Sequence, residues 1–510
     1  MEKTKTPKTV PENTASALKT EHDVDTQHQD NIVKTRHKTK IGGKTFPYTA
    51  TCGTWVMHEE SDKDGEHLGQ KPKATIFFTA YTLDSPTSSA HPQTRPIMFC
   101  FNGGPGSSSV WLHLGVLGPK RVLLDKEGNA GAPPYQLVDN VYSLLADTDL
   151  VFIDPIGTGY SRMIEGEKTK EFHEYQRDLD SVGEFIRLYV SRYERWASPK
   201  FIAGESYGTT RASGLAGLLQ DKYGMYLNGL LLISVALDFQ TIRFDHGNDL
   251  PPLIYLPTYA ATAWHHKKLA KDLQKMSLVK LLKEVENFAM TEYATALFQG
   301  DKLPAVQFNS MAEKVARYTG LSMEYVKSTK LRVQIQRFCK ELLRTEGKTV
   351  GRLDSRFTAM DRDSAGEQFE FDPSYAAIGG VFASTFNDYV RRHLKFATDL
   401  DYRVLAGFYQ NWGWKDFANR YVNIGETLRA AMNKNPHLKV YVGNGYFDLA
   451  TPHFAADYTV NHLMLDPTLA SNISTHYYEA GHMMYAHQPS LIKMADDMRR
   501  FMSVALAAPK

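Results

Sequence analysis

The chain has 510 residues, 42% of them hydrophobic and 23% charged, the balance of a globular protein long enough for one large core with an insertion. A formal net charge of +2 gives no electrostatic case for nucleic acid or an anionic membrane surface as partner, and no apolar run is long enough to span a bilayer. Cys52, Cys100 and Cys339 are scattered, without metal or CxxC spacing, and read as small buried apolar residues rather than a disulfide framework.

Residues 1–31 are rich in Lys, Thr, Glu and Asp and almost free of large apolar side chains. They predict a disordered tail, taken as residues 1–34. This stretch lacks the apolar h-region of a signal peptide, so the chain as written is expected to be cytoplasmic; a leader removed beforehand would make it periplasmic or secreted. Residues 42–58 and 74–83 are rich in Thr, Tyr, Phe and Val and predict an antiparallel opening. The acidic run 60–66 between them superficially resembles a calcium loop. It lacks the full ligand spacing and the bidentate glutamate, so a solvated hairpin tip is expected.

Residues 95–101 form a continuous apolar run followed by Asn102-Gly103-Gly104-Pro105-Gly106. Residues 149–154, 200–203 and 229–235 are further runs of this kind. Strands apolar on both faces and separated by helical patterns mean a parallel sheet covered by helices. Residues 172–193 supply one helix, with Leu179, Val182, Phe185, Ile186 and Val190 at helical spacing. Residues 238–398 are mainly helical in pattern and read as a cap inserted into the core. His265 and His266 within it are sequence neighbours that a helix would point apart, which argues against a metal site. The core pattern then returns: a helix over 414–432, a strand over 438–442 ending near Asp448, a strand over 474–478 ending near His482, and a closing helix over 489–506. The chain therefore divides into a tail (1–34), a first core part (35–237), the cap (238–398) and a second core part (399–510).

The stretch Phe201-Ile202-Ala203-Gly204-Glu205-Ser206-Tyr207-Gly208 reads as a strand that ends in Gly-x-Ser-x-Gly and turns into a helix, the pattern of a nucleophile elbow with Ser206 at its apex. Ser206, Asp448 and His482 each follow the carboxyl end of a predicted strand, where sites form in open α/β sheets. Their chain order, Ser then Asp then His, is that of α/β hydrolases. A neutral hydroxyl is a weak nucleophile, so His482 would take its proton and Asp448 would orient the imidazole. The developing oxyanion would be met by the N–H of Tyr207 and by one from the Gly103-Gly104 loop.

Three blocks, Asn102-Gly103-Gly104-Pro105-Gly106-Ser107-Ser108-Ser109, Gly204-Glu205-Ser206-Tyr207-Gly208 and Ala480-Gly481-His482-Met483, resemble the signatures of the serine carboxypeptidase family, and residues 152–161 match a further segment. Within that family the chain looks like a bacterial-type, carboxypeptidase-related member. The resemblance implies an α/β-hydrolase fold, with a mostly parallel central sheet and an inserted helical cap that shapes specificity. It implies that Gly104 and Tyr207 form the oxyanion hole, that Asn102, the N–H of Gly103 and Glu205 bind the substrate's terminal carboxylate, and that Met483 lines the pocket for the leaving residue. The family's usual cysteine at Ser107 is absent, which fits a chain not built for an oxidising compartment. A second glutamate that the family places before Leu-Gly-Pro is here Val116, and the usual Gly-Asp before the catalytic Asp is Gly445-Tyr446.

The expected activity is that of a serine carboxypeptidase acting on peptides with a free C-terminus, with no metal or organic cofactor and with room for a homodimer. An esterase or acyltransferase would use the same triad. A non-catalytic binding protein on the hydrolase fold is the alternative of another class, and the retention of all three triad residues counts against it.

Overall fold

Residues 29–63, 66–84 and 94–507 are described by a computed structural model. Residues 1–28 of the expected tail and residues 64–65 of the expected hairpin tip lie outside the described residues. The central sheet is built from β1 (Asn31–Ile41), β2 (Lys44–Lys63), β3 (Glu66–Leu83), β4 (Ile97–Phe101), β5 (Asp149–Ile153), β6 (Lys200–Glu205), β7 (Gly229–Ile233), β8 (Lys439–Gly445) and β9 (Ile473–Tyr478). They lie in the order β1-β2-β3-β5-β4-β6-β7-β8-β9, and the two-residue strand Arg162–Met163 pairs with β3. β1, β2 and β3 are antiparallel, and β3 pairs antiparallel with β5. From β5 onward every pairing is parallel.

The helices that matter here are α1 (Tyr175–Arg192), α2 (Tyr207–Tyr223), α3 (Leu250–His265), α4 (Leu278–Phe288), α5 (Ala305–Thr319), α6 (Pro373–Arg392), α7 (Gly425–Lys434) and α8 (Gln488–Leu506). Side chains alternate across a strand, so the apolar run of β4 serves two cores. Ile97, Phe99 and Phe101 join Val182, Phe185, Leu215 and Leu428 of α1, α2 and α7 on one face. Met98 and Cys100 join Phe382, Phe386, Met494 and Met498 of α6 and α8 on the other. This is why β4, β5, β6 and β7 are buried along their whole length and carry no polar alternation. All three cysteines are buried free thiols. A third cluster, including Tyr259, Leu281, Val285, Ala312 and Val315, forms among α3, α4 and α5, and Leu449 reaches it from the core.

Three expectations change. β1 begins at Asn31, inside the stretch assigned to the tail, because residues 31–41 pair along their length with β2 and Ile32 and Val33 pack against the two sheet cores. α6 falls inside the 238–398 stretch but covers the sheet: the Phe382 ring lies 4.7 Å from Trp111 and the Phe386 ring 5.8 Å from His113. Its apolar stripe looks the same whichever core it faces. The helix expected over 414–432 is a short 3-10 turn at Lys415–Phe417, an irregular stretch with Asn419 at φ 62°, and then α7. Trp414 and Phe417 are held instead by Tyr175, Tyr207 and Phe239, so tertiary packing overrides the helical spacing.

Strand order sets the location of the site. From β4 the chain moves to β5 on one side, then returns to β6 on the other. The connections part at the carboxyl ends of β4 and β6, and the crevice between them is where such sheets bind ligands.

Candidate active site

Ser206 occupies the turn between β6 and α2 at φ 61°, ψ −129°, a strained conformation for a residue with a side chain. The turn is held by Ser206 N–H donating to Ile233 O at 2.9 Å and Thr209 N–H donating to Ser206 O at 2.8 Å. Glycine at 204 is a steric requirement: a Cβ there would lie 2.1 Å from Gly208 O, where strand and helix cross. The loop after β4 approaches the same turn. A Cβ on Gly103 would lie 2.4 Å from Tyr207 N and 2.7 Å from Gly208 N. These N–H groups open α2, where no intrahelical acceptor exists, so the turn and the Gly103-Gly104 loop present backbone donors and a helix N-terminus beside Ser206.

Asp448 follows β8 and is fully buried. Its Oδ1 accepts from Ala450 N–H at 2.7 Å and Thr451 N–H at 3.0 Å; its Oδ2 accepts from Thr451 Oγ1 at 2.8 Å and lies 2.7 Å from His482 Nδ1. A carboxylate so fully bonded is fixed in place, and it selects the tautomer with the proton on Nδ1, leaving Nε2 as the acceptor. Burial alone would push the His482 pKa down; the Asp448 charge and hydrogen bond, helped by Glu205, outweigh burial and raise it. The His482 loop is tied to the serine turn through Ser234, next to Ile233, whose Oγ donates to His482 O at 2.7 Å. Among the described hydrogen bonds none joins Ser206 Oγ to the imidazole, a contact that commonly tightens only around substrate.

Glu205, immediately before Ser206, points into the interior. Its Oε1 accepts from Asn102 Nδ2 at 3.0 Å, and Asn102 Oδ1 accepts from Leu112 N–H at 3.1 Å. Burial raises the Glu205 carboxyl to about 7, against smaller lowering effects from His482, Tyr485 and Asn102. The structure thus brings Asn102, Gly103, Glu205 and Tyr207 together around Ser206. Met483 packs into the sheet-face cluster with Trp111 and Tyr485. Val116 is buried in that cluster too.

A profile of the serine carboxypeptidase family matches residues 67–488. The chain belongs to the serine carboxypeptidase family. Serine carboxypeptidase-like 33 of Arabidopsis thaliana is 31% identical over 159 residues, 31% of this chain and 30% of its own length. Serine carboxypeptidase 24 of Arabidopsis thaliana is 30% identical over 197 residues, 38% of this chain and 40% of its own. The matches thus span about a third of the length of these curated relatives. A solved thermophilic esterase from Thermogutta terrifontis is similar over 89% of this chain and 100% of its own, at 11% identity and a TM-score of 0.36.

In this serine carboxypeptidase family member, several supporting residues escaped the sequence reading. Asp178 on α1 and Arg211 on α2 form a fully buried ion pair at 2.8 Å. Asp178 Oδ2 also accepts from the Tyr207 hydroxyl at 2.9 Å, and Arg211 donates to Asn102 O at 2.7 Å. The pair therefore anchors both segments beside Ser206. On the histidine side, His482 N–H donates to Leu353 O at 2.6 Å and Gly481 N–H to Asp354 Oδ2 at 3.0 Å. Thr451, which closes the Asp448 network, stands three residues after the aspartate. Among the described residues no group of three His, Cys, Asp or Glu side chains could hold a metal ion, and no helix is long and apolar enough to cross a membrane.

Proposed function

We propose that the protein is a serine-type carboxypeptidase that releases C-terminal amino acids from peptides through an acyl-enzyme. The observation that carries the reading is the strained Ser206 turn beside the buried Asp448–His482 pair, with Glu205 directly preceding the serine. Ser206 Oγ attacks the scissile carbonyl carbon as His482 Nε2 takes its proton; Asp448 stabilises the imidazolium. The N–H groups of Gly104 and Tyr207 receive the oxyanion. The tetrahedral intermediate collapses as His482 returns the proton to the leaving amine, freeing the terminal amino acid. Water, deprotonated by His482, then hydrolyses the Ser206 ester.

The carboxylate of the leaving residue is held by the Asn102 amide, the N–H of Gly103 and a protonated Glu205. A carboxyl raised to about 7 is neutral in mild acid and can donate to an anion that an ionised Glu205 would repel. Met483 borders the space for the leaving side chain.

The test is incubation with N-blocked dipeptide acids, their C-terminal amides and a p-nitrophenyl ester, following free amino acid and nitrophenol separately. Release of the terminal amino acid, with the acids preferred over the amides, is expected. Turnover of the ester alone would replace this reading by an esterase or acyltransferase with the same triad.

A further inference from the structure

Two polar atoms in the interior beside Ser206 have unused hydrogen-bonding capacity. One is Glu205 Oε2 and the other is the Tyr485 hydroxyl. Both residues are almost wholly buried, at 3% and 2% exposure. The Tyr485 hydroxyl faces both the Glu205 carboxyl and the Asn102 side chain as a loose hydrogen-bond neighbour, close enough to act on the ionisation of the carboxyl. Yet neither atom makes a hydrogen bond of ordinary length and angle. Buried polar groups are nearly always well satisfied, and two neighbours that face each other without forming a good hydrogen bond call for a reason.

The surroundings show that the tyrosine is accommodated rather than incidental. Its ring lies over Gly115, where a Cβ would come within 2.3 Å of the ring; only glycine leaves room. Tyr485 and Gly115 together border a small cavity that Arg121, Leu124, Phe382 and Leu491 also line. Tyr485 stands three residues after His482, and Glu205 immediately precedes Ser206. Each member of the pair is thus within three residues of a residue assigned to the reaction.

We infer that the Tyr485 hydroxyl is a substrate-binding donor that reads the free α-carboxylate of the leaving residue, alongside the Asn102 amide and Glu205. The inference rests on the carboxypeptidase reading and names a residue that reading does not contain. A carboxylate offers two oxygens and about four lone pairs, enough to engage the three side-chain donors together. The roles differ with pH. Glu205 donates only while protonated, and its hydrogen bond fades as pH rises through about 7. Burial, reinforced by the neighbouring Glu205, pushes the Tyr485 hydroxyl well above its usual value, so it stays a donor throughout the working range. Tyr485 thus maintains recognition of the carboxylate above the pH at which Glu205 ceases to help.

The experiment compares kcat/KM for an N-blocked dipeptide acid and its C-terminal amide, from pH 5.5 to 8.5, in wild type and Tyr485→Phe. The phenylalanine keeps the ring over Gly115, and labelling by a fluorophosphonate confirms an assembled site. The acid-to-amide ratio should fall by roughly ten- to a hundredfold, the size of one hydrogen bond to a charged group, through KM for the acid. The fall should be steepest above pH 7, where Glu205 is ionised. Gly115→Ala, which pushes the ring aside, should lower the same ratio. A tyrosine that only steadied Glu205 would instead shift the pH midpoint of KM while leaving the alkaline ratio intact, and that result overturns the inference. So does a wild-type ratio in Tyr485→Phe. If wild type itself treats acid and amide alike, the carboxypeptidase reading fails together with this one, whereas discrimination retained in both proteins removes Tyr485 alone.

Discussion

Replacing Glu205 by glutamine tests the interior of the site without any substrate. The carboxyl is buried and its pKa is raised from 4.5 to about 7, so the folded chain holds a proton that the unfolded chain has already lost. The sign follows. Below about 4.5 both states are protonated and Glu205 contributes no pH dependence. Between 4.5 and 7 the unfolded state releases its proton first, and stability declines as pH rises; above 7 the decline is complete. At about 1.4 kcal/mol per pH unit the full effect is about 3 kcal/mol, of which about 2.5 kcal/mol falls between pH 5 and pH 8. The glutamine side chain has no proton to lose, can accept from Asn102 as Glu205 does, and can point its NH2 at Tyr485. Urea unfolding of both proteins at pH 5 and pH 8 isolates the effect, because groups unaffected by the substitution cancel in the comparison. Glu205→Gln should gain about 2 to 3 kcal/mol relative to wild type on going from pH 5 to pH 8. His482 couples to this carboxyl, and loss of the Glu205 charge should also lower the histidine's pKa. A stability difference between the two proteins that is the same at both pH values would refute the reasoning and place Glu205 in a polar, solvated setting.

Ser206→Ala should abolish fluorophosphonate labelling and lower kcat by roughly a millionfold with the fold intact; persistent labelling measured by mass spectrometry would move the nucleophile elsewhere. Asp448→Asn should cost roughly ten-thousandfold in kcat, since an amide no longer selects the required imidazole tautomer, and pre-steady-state acylation of Ser206 is the step to follow. Asp178→Ala leaves Arg211 buried without its carboxylate and should destabilise by about 3 to 5 kcal/mol, read by denaturant unfolding. Asp354→Ala removes the acceptor of the Gly481 N–H and the partner of Arg356; a loss of about 3 kcal/mol should accompany lower kcat for ester and peptide alike, and unchanged kcat on both would separate Asp354 from His482.

The strand-end positions of Ser206, Asp448 and His482 were legible because the signal is local and repeated: an apolar run, a turn, and a polar residue at or just beyond the strand's end, three times over. β6 and Ser206 needed no tertiary information, since glycine at 204 follows from a strand and helix crossing within one short segment. What the sequence concealed depends on contacts between distant segments. The stripe on α6 could have faced the cap or the sheet, and only the aromatic partners Trp111 and His113 decide it. Trp414 and Phe417 have helical spacing, yet the pocket formed by Tyr175, Tyr207 and Phe239 claims them. Asp178 sits on the helix read from apolar spacing and Arg211 on the helix that follows the serine turn; their pairing becomes visible only when α1 and α2 pack side by side. Tyr485 was hidden for the same reason: its significance lies in facing Glu205 across 280 residues of chain.

The stretch between β7 and β8 also braces the two loops that carry Asp448 and His482. Residues 352–355 lie outside the sheet, yet they bond to both loops. Leu449 N–H donates to Arg352 O and Ser355 N–H to Phe447 O, each at 3.0 Å, beside Asp448. Leu353 O and the Asp354 carboxylate receive the N–H groups of His482 and Gly481. The segment is itself held from two directions. Asp372, at the start of α6, accepts from Arg352 N–H and Leu353 N–H at 3.2 and 3.0 Å. On the cap side, Ser355 Oγ lies 2.6 Å from Thr262 Oγ1 on α3, and His266 Nε2 lies 2.7 Å from Ser355 O. The sheet alone sets where β8 and β9 end. The angle between an aspartate on one loop and a histidine on the next needs a further constraint, since misplacement of the order of an ångström costs large factors in rate. Residues 352–355 supply it by bridging the two loops with backbone hydrogen bonds and the Asp354 carboxylate.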